Sequence, residues 1–311
     1  MEEHEHGHAC NHSHADKYHE CIERFDPALS ADAVAEKVNN LLEKSYQKNF
    51  NSETLKQVYG LIDLTTLTTL DTKETVWQMV ERVNAFEGLS PDMSNVAAIC
   101  TYPVFTATVK QALTAQDVKI AAVSAGFPSS QTFPEVKVAE TALAVMAGAD
   151  EIDIVMNLGC LMEDACEEVA DEIAEIKDAC RDAKLKVILE TGALSTPDNI
   201  RRATLLALYS GADFIKTSTG KGYPGATPEA VYTICRVIKQ YDQLIGRKVG
   251  VKVSGGIRSE ILYDRKRTVG RRMADEGILP YRCQQPCSRH RTPAGTRYPL
   301  ILEDSPTQKF T

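Results

Sequence analysis

Two lysines lie at the ends of short apolar segments in the second half of the chain. Lys216 follows Phe214 and Ile215, and Lys252 lies in the run 249–253. Burying an unpaired ammonium group is costly, so each lysine should either do chemistry or form an ion pair. Two ammonium groups held close together disfavour each other's charge, so the pKa of one amine falls. This pair therefore predicts a neutral amine that attacks a carbonyl carbon and forms an imine.

A carboxylate is available for the proton transfers that an imine mechanism needs. The protonated imine is an electron sink, which makes the neighbouring C–H acidic and an adjacent C–C bond breakable. Asp153 lies in another apolar run, 152–155, and a positioned carboxylate can move the protons of this cycle. The alternative is structural, with both lysines in ion pairs with Asp153 or Glu190. The sequence pattern leaves both interpretations open.

Two glycine-rich turns predict an anion site. They read TSTGKG at 217–222 and SGGIR at 254–258. Glycines allow the backbone to approach an anion closely, so that several N–H groups can converge on it. Lys221 or Arg258 would add positive charge, and the two turns together indicate a phosphate.

The elements that would position these residues alternate along the chain. The predicted strands are 61–63, 96–100, 120–123, 152–155, 187–190, 214–216 and 249–253. The predicted helices include one from about residue 31 and those at 72–87, 134–147, 163–183, 197–210 and 228–240. Apolar strands that alternate with helices indicate a parallel sheet covered on both faces. We predict an α/β fold, a (β/α)8 TIM barrel, rather than a doubly wound sheet, since no GxGxxG follows the first strand.

In such a barrel the carboxyl ends of the strands face the active site. The polar or ionisable residues at these ends are Asp63, Cys100, Asp153, Glu190, Lys216 and Lys252. Thr65 lies on the first loop and is expected to line the pocket. Cys100 is given no catalytic role, since a free cysteine is most often a small buried apolar residue.

Composition narrows the class of protein further. The 311 residues carry a formal net charge of −8, which gives no indication of a nucleic-acid or anionic-membrane partner. No apolar run reaches the ~20 residues that span a bilayer. Nine cysteines without paired spacing favour a reducing compartment, so we predict a cytoplasmic protein. Six of the seven histidines lie within the first 19 residues, which argues against a histidine base or a His-ligated catalytic zinc.

The chain divides into three predicted parts. Residues 1–28 are predicted to be a disordered His-rich tail, with weak metal binding as the alternative. Residues 29–258 are predicted to form the barrel domain. Residues 259–311 have a different character and include the basic run RKRTVGRR at 265–272.

Seven segments together resemble the deoxyribose-phosphate aldolases, and the animal branch of that family in particular. They are IDLTTL (62–67), AAICTYPVF (97–105), SAGFPSS (124–130), ADEIDIVMN (149–157), ILETGAL (188–194), GADFIKTSTGK (211–221) and VGVKVSGGIR (249–258). The resemblance covers residues 30 to 258. It implies a class I aldolase that needs no metal or other cofactor and cleaves 2-deoxy-D-ribose 5-phosphate into glyceraldehyde 3-phosphate and acetaldehyde, in deoxyribonucleoside catabolism.

Residue roles carried over from the resemblance agree with the chemical interpretation. Lys216 is the imine-forming residue, Lys252 the neighbouring cation that favours its neutral form, and Asp153 the proton relay. The substrate- and phosphate-binding residues implied are Asp63, Thr65, Thr219, Gly220, Lys221, Gly255, Gly256 and Arg258. The expected partner is a small sugar phosphate, and a homo-oligomer is plausible.

The C-terminal part departs from the family. The family's eighth strand, phosphate loop and final helix are missing or replaced in 259–311, so we expect a barrel that is open between its seventh and first strands. Codons permitted by ILPYRCQQPC (278–287), read one nucleotide out of phase, can spell FFRIGASSL, which resembles the absent strand and loop. We therefore predict a frame-shifted tail, with a genuine or alternatively spliced tail as the alternative. A catalytically dead scaffold or binding protein is the alternative function.

Overall fold

The computed structural model describes residues 17–89, 93–255 and 282–286, and its strands form a closed barrel. The eight strands are β1 (Ile62–Thr65), β2 (Ala98–Thr101), β3 (Lys119–Val123), β4 (Glu151–Val155), β5 (Lys184–Ile188), β6 (Phe214–Lys216), β7 (Gly250–Val253) and β8 (Arg282–Pro286). Every neighbouring pair is parallel. The predicted (β/α)8 TIM-barrel class is confirmed.

The eighth strand is replaced rather than missing. Strand β8 pairs with β7, where Lys252 lies opposite Arg282, and with β1, where Ile62 lies opposite Cys283. The expectation of a barrel that is open between the seventh and first strands was therefore wrong. The backbone of this tail segment can complete the ladder because strand pairing uses main-chain groups, whatever the side chains are. The predicted loss of the final helix lies outside the described residues.

Eleven α-helices are described, of which several short ones were not predicted. They are α1 (Lys17–Glu23), α2 (Ala31–Asn49), α3 (Ser52–Tyr59), α4 (Lys73–Leu89), α5 (Thr106–Ala112), α6 (Pro134–Met146), α7 (Leu158–Met162), α8 (Cys166–Ala179), α9 (Thr191–Leu194), α10 (Pro197–Tyr209) and α11 (Pro228–Ile245). None of the described helices combines the length and apolar character needed to cross a membrane.

Local sequence explains where the long helices begin and end. Thr196 and Thr227 cap α10 and α11 by accepting from the backbone N–H groups of Asn199 and Ala230, and a proline follows each cap. Proline suits the first helical position because it has no N–H to satisfy there. Helix α11 ends at Ile245 and is capped by Gly246, whose φ of 75° is readily adopted by glycine.

The strands are buried along their length, as expected for a parallel sheet covered by helices. All residues of β2, β4, β6 and β7 are buried. One continuous apolar core joins these strands to the inner faces of the helices. The polar exceptions inside the barrel are therefore informative, because a buried charge needs a partner.

The N-terminal boundary differs from the predicted one. Residues 1–16 lie outside the described residues, but residues 17–28, predicted to belong to a disordered tail, include helix α1 and the buried side chains of Ile22 and Phe25. Phe25 stacks on the Tyr241 ring and meets the edge of Tyr209. The apolar residues at positions 22 and 25 were the missed signal, because they follow the His-rich stretch directly.

Arg201 on α10 fixes this segment to the barrel. Its guanidinium donates to the backbone carbonyls of Asp26 and Ile22, both at 2.8 Å, and of Phe25 at 3.1 Å. The side chain is almost fully buried. One side chain therefore links three backbone carbonyl groups of this segment to α10, although the carbonyl of Ile22 also accepts from the Phe25 N–H.

We expect Arg201→Ala to lower the free energy of unfolding by about 1–3 kcal/mol, because buried carbonyl acceptors lose their donor. Amide hydrogen exchange of residues 17–27 should accelerate more than that of the strands. Arg202→Ala is the matched control, since Arg202 lies on the same helix but pairs with Asp164. Unchanged exchange at residues 17–27 in Arg201→Ala would contradict the anchoring role.

Candidate active site

Alternating charges cross the interior of the barrel. Lys252 Nζ lies 2.8 Å from Asp63 Oδ2, which lies 3.2 Å from Lys186 Nζ. Lys186 Nζ also lies 2.7 Å from Asp153 Oδ1, and Asp153 Oδ2 lies 2.7 Å from Lys216 Nζ. Glu151 Oε2 approaches Lys186 Nζ to 2.7 Å. We refer to these six residues as the buried charge network: Asp63, Glu151, Asp153, Lys186, Lys216 and Lys252.

Strand register brings these side chains together. Lys216 lies opposite Lys252 in the pairing of β6 with β7, and Asp153 lies opposite Lys186 in the pairing of β4 with β5. Residues in register on neighbouring strands point to the same face of a sheet. All six side chains are nearly or fully buried.

The structure thus brings four of the predicted residues into one cluster: Lys216, Lys252, Asp153 and Asp63. The ion-pair interpretation and the imine interpretation of the lysines are compatible. Lys216 forms an ion pair with Asp153, and the same carboxylate is positioned to exchange protons with the amine. Asp63, predicted to bind substrate, lies instead between Lys252 and Lys186.

Lys186 and Glu151 were not singled out from the sequence. Strand five was predicted to begin at residue 187, whereas β5 begins at Lys184. The signal that could have found Lys186 is the alternation in KLKVI (184–188). Lys186 shares a strand face with Ile188, while Leu185 and Val187 point to the opposite face. A lysine on the same face as a buried isoleucine indicates an interior cation.

Opposite charges set the protonation of the centre of this network. Burial alone would raise the pKa of Asp153, but the charges of Lys186 and Lys216 and their hydrogen bonds outweigh it, so the pKa lies well below its usual range. Burial alone would lower the pKa of Lys186, yet Asp153, Asp63 and Glu151 raise it well above the ordinary value. Asp153 is therefore ionised and Lys186 protonated at neutral pH.

Cys100 lies on β2 beside this network. Burial raises the pKa of its thiol to about 12, and the nearby Asp153 acts in the same direction. The thiol therefore stays protonated at neutral pH, which agrees with the small apolar role predicted for it.

Glu190 lies at the rim, just past the end of β5. Its backbone is left-handed, with φ 49° and ψ 61°, a conformation that costs energy for a residue other than glycine. Its carboxylate accepts from the backbone N–H and the hydroxyl of Thr219. Burial raises the pKa of Glu190, while the bonds from Thr219 and the charge of Lys216 act against the rise.

The two glycine-rich turns meet at the same rim. A Cβ atom at Gly225 would lie 1.6 Å from the carbonyl oxygen of Gly255, so only glycine fits where these turns cross. Gly220 and Gly255 both have positive φ, 76° and 88°. The Ser254 hydroxyl donates to the carbonyl of Ser218 at 2.5 Å and links the turns.

Other predicted binding residues are placed as follows. Lys221 Nζ donates to the carbonyl of Leu67 at 2.7 Å, which joins the sixth loop to the first. The Thr65 hydroxyl donates to the carbonyl of Asp63 at 2.9 Å, within its own strand. Gly256 and Arg258 lie outside the described residues. In the described part of the chain no group of three or more His, Cys, Asp or Glu side chains is placed to hold a metal ion.

Comparison with known proteins assigns this chain to a family of aldolases. The sequence profile of the DeoC/LacD family of aldolases matches residues 58–278, so the chain belongs to that family. The human deoxyribose-phosphate aldolase is 35% identical over 226 residues, covering 70% of this chain and 71% of its own length. The mouse deoxyribose-phosphate aldolase is 36% identical, with the same coverage.

A solved structure agrees with the sequence relatives. The deoxyribose phosphate aldolase from Aeropyrum pernix, described as having a unique tetrameric structure, superposes with a TM-score of 0.60 and 25% identity. The superposition covers 83% of this chain and 94% of the other.

We expect Asp153→Asn to lower the free energy of unfolding by about 3–5 kcal/mol at neutral pH, because it breaks a buried ion pair. An unfolded aspartate has a pKa of about 3.9, and the folded value is lower. The stabilisation by Asp153 is thus fully present above the unfolded pKa and is lost as the pH falls through the folded pKa. The stability difference between wild type and variant should shrink below about pH 4.

Urea unfolding at a series of pH values measures this difference. Asp171→Asn is the matched control, because Asp171 is an exposed residue of α8, and it should show little effect at any pH. A difference for Asp153→Asn that stayed constant down to about pH 3 would contradict the ion-pair account.

Proposed function

We propose that the protein is a class I deoxyribose-phosphate aldolase, which reversibly cleaves 2-deoxy-D-ribose 5-phosphate into glyceraldehyde 3-phosphate and acetaldehyde. The observation that carries the proposal is the position of Lys216. Its amine is fully buried, lies 2.7 Å from Asp153, and faces Lys252 in register on the next strand. Such a lysine meets the needs of an imine-forming nucleophile with a proton relay beside it.

In the proposed reaction the neutral Lys216 amine attacks the aldehyde carbon C1 of the open-chain sugar. Loss of water gives the protonated imine, which accepts the electron pair of the C2–C3 bond as that bond breaks. The hydroxyl at C3 gives up its proton, and glyceraldehyde 3-phosphate leaves. The remaining enamine is protonated at C2, and water then releases acetaldehyde and restores the amine.

The charges around Lys216 divide into two opposing groups. Asp153 attracts the positive charge of the ammonium form, whereas the positive charge of Lys252 on the next strand opposes it. Asp153 is also within hydrogen-bonding distance of the amine, so it can carry the protons of the carbinolamine and enamine steps. We assign it the role of proton relay.

The phosphate is proposed to bind at the two glycine-rich turns. Gly220 and Gly255 turn the backbone there, and Lys221 supplies a cation once its contact with Leu67 is exchanged for the ligand. Thr219, Gly256 and Arg258 are proposed to complete this end of the site. Asp63 and Thr65 are proposed to contribute to substrate binding. Asp63 would do so through its ion pair with Lys252, and Thr65 through its place at the first loop.

Assembly and cellular setting are proposed along the same lines. A homo-oligomer is supported by the tetrameric relative from A. pernix and by an exposed apolar row on and beside α6. That row consists of Val104, Phe133, Val136, Leu143 and Met146. Exposed apolar patches of this kind often mark interfaces. We further propose a cytoplasmic enzyme of deoxyribonucleoside catabolism.

The frame-shifted origin of 259–311 stays a prediction. The nucleotide sequence over codons 255–311 tests it: an interrupted frame supports the prediction, and an intact genomic and transcript frame through Thr311 overturns it. The tail at 259–311 does not contain the family's phosphate-loop sequence, so phosphate binding should be weaker than in a frame-corrected chain. A catalytically dead scaffold, the alternative function, would show no retro-aldol turnover even at high protein concentration.

We expect borohydride reduction in the presence of acetaldehyde to trap an ethyl group on Lys216, because the imine is reduced to a stable secondary amine. Peptide mass spectrometry locates the adduct. Lys216→Arg should lose both the adduct and turnover, whereas Lys239→Arg, at an exposed position of α11, should keep both. A folded wild-type protein without an adduct at Lys216 would contradict the proposed function.

We expect Lys252→Leu to lower turnover at neutral pH by roughly 100-fold or more, a usual size for lost acid–base assistance. The loss follows because the amine of Lys216 then keeps its proton more readily. Activity should recover in part as the pH is raised. Wild-type turnover across the pH range would show that Lys252 does not act on Lys216.

A further inference from the structure

Lys186 is a buried cation that joins the two halves of the buried charge network. Its Nζ contacts Asp63, the partner of Lys252, and Asp153, the partner of Lys216. Glu151 approaches the same Nζ from the start of β4, at 2.7 Å. Neither Lys186 nor Glu151 takes part in the steps proposed above, although both are buried.

The network holds equal numbers of acidic and basic side chains. Its cations are Lys186, Lys216 and Lys252, and its anions are Asp63, Glu151 and Asp153. The charges balance when all six are ionised. When Lys216 is neutral, three carboxylates face two ammonium groups, which leaves one negative charge in excess inside the barrel.

The remaining groups near Lys216 differ in how they act on its charge. Cys100 on β2 stays a neutral thiol at neutral pH. Glu190, past the end of β5, attracts a proton on Lys216 from the rim. Lys252 on β7 repels it, but its own charge is shared with Asp63. Lys186 is in contact with three carboxylates, which hold its proton in place.

We propose that Lys186 and Glu151 are positioning residues that set the pH range in which Lys216 is a neutral nucleophile. Lys186 neutralises Asp153 and Asp63, so that these carboxylates hold the proton of Lys216 less strongly. Glu151 opposes Lys186 and acts on Lys216 only through it. The proposal rests on the proposed function and adds two residues to its machinery.

Removing the two charges should move the pH dependence in opposite directions. The acid limb is the pH range in which acetaldehyde trapping on Lys216 falls off as the solution becomes more acidic. We expect Lys186→Met to shift this limb upward by about one pH unit, the usual effect of a lost neighbouring charge. Glu151→Gln should shift it downward by less. The double variant, in which the charges balance again, should lie between the two single variants. The same shifts should appear in kcat/KM for 2-deoxyribose 5-phosphate.

Lys184→Met is the matched control. Lys184 lies on the same strand, two residues before Lys186, but its side chain is 59% exposed. The same chemical change there should leave the acid limb where it is in wild type. Circular dichroism checks that each variant is folded.

Several results would overturn the proposal. A folded Lys186→Met with the wild-type acid limb would do so, as would shifts of both single variants in the same direction. If Lys186→Met does not fold, the comparison of Glu151→Gln with the double variant decides, since the double variant should have the higher limb. A wild-type protein that traps no acetaldehyde would refute the proposed function itself, which is a different result.

Discussion

The need to pair every charge inside the barrel governs this structure. Three ammonium groups lie where the surroundings are otherwise apolar, and each is in contact with at least one carboxylate. An isolated charge there would cost far more than a single mutation normally does. The chemistry of the site and the stability of the barrel therefore depend on the same contacts.

The barrel supplies the geometry that this pairing requires. Parallel strands in register place Lys216 beside Lys252 and Asp153 beside Lys186 at neighbouring levels. Strand β8 (Arg282–Pro286) pairs with both β7 and β1 and closes the barrel between them, which matters because Lys252 and Asp63 lie on β7 and β1. The rim is built differently, from turns whose glycines allow close backbone contact. The buried interior thus holds the charged side chains, and the glycine-rich loops form the rim above them.

The network also bears on the proposed reactivity of Lys216, which lies inside an ion pair. A lysine beside one aspartate would simply keep its proton. Here Asp153 is shared between Lys216 and Lys186, so its negative charge faces two ammonium groups rather than one. Asp153 is suited to relay protons for two reasons. Its two ion pairs hold the carboxylate in place, and Lys186 partly neutralises its charge.

The sequence predicted the barrel and much of its centre. The apolar runs that contain Lys216, Lys252 and Asp153 identified three of the strands, and a charge in such a run stands out from its neighbours. Helix boundaries at 134, 197 and 228 could be predicted to the residue, since a proline marks each one. The buried part of the N-terminal segment was missed because two apolar residues after a His-rich stretch carry little periodic signal.

What the sequence determined by itself was the order of strands and helices and the residue types at the strand ends, which are local properties. What only the tertiary structure decided was which charges meet. Lys186 binds Asp63 across 123 residues of chain and Asp153 across 33, and no local pattern encodes either pairing. These contacts exist because the sheet closes on itself, so that strands distant in sequence turn their side chains toward one interior.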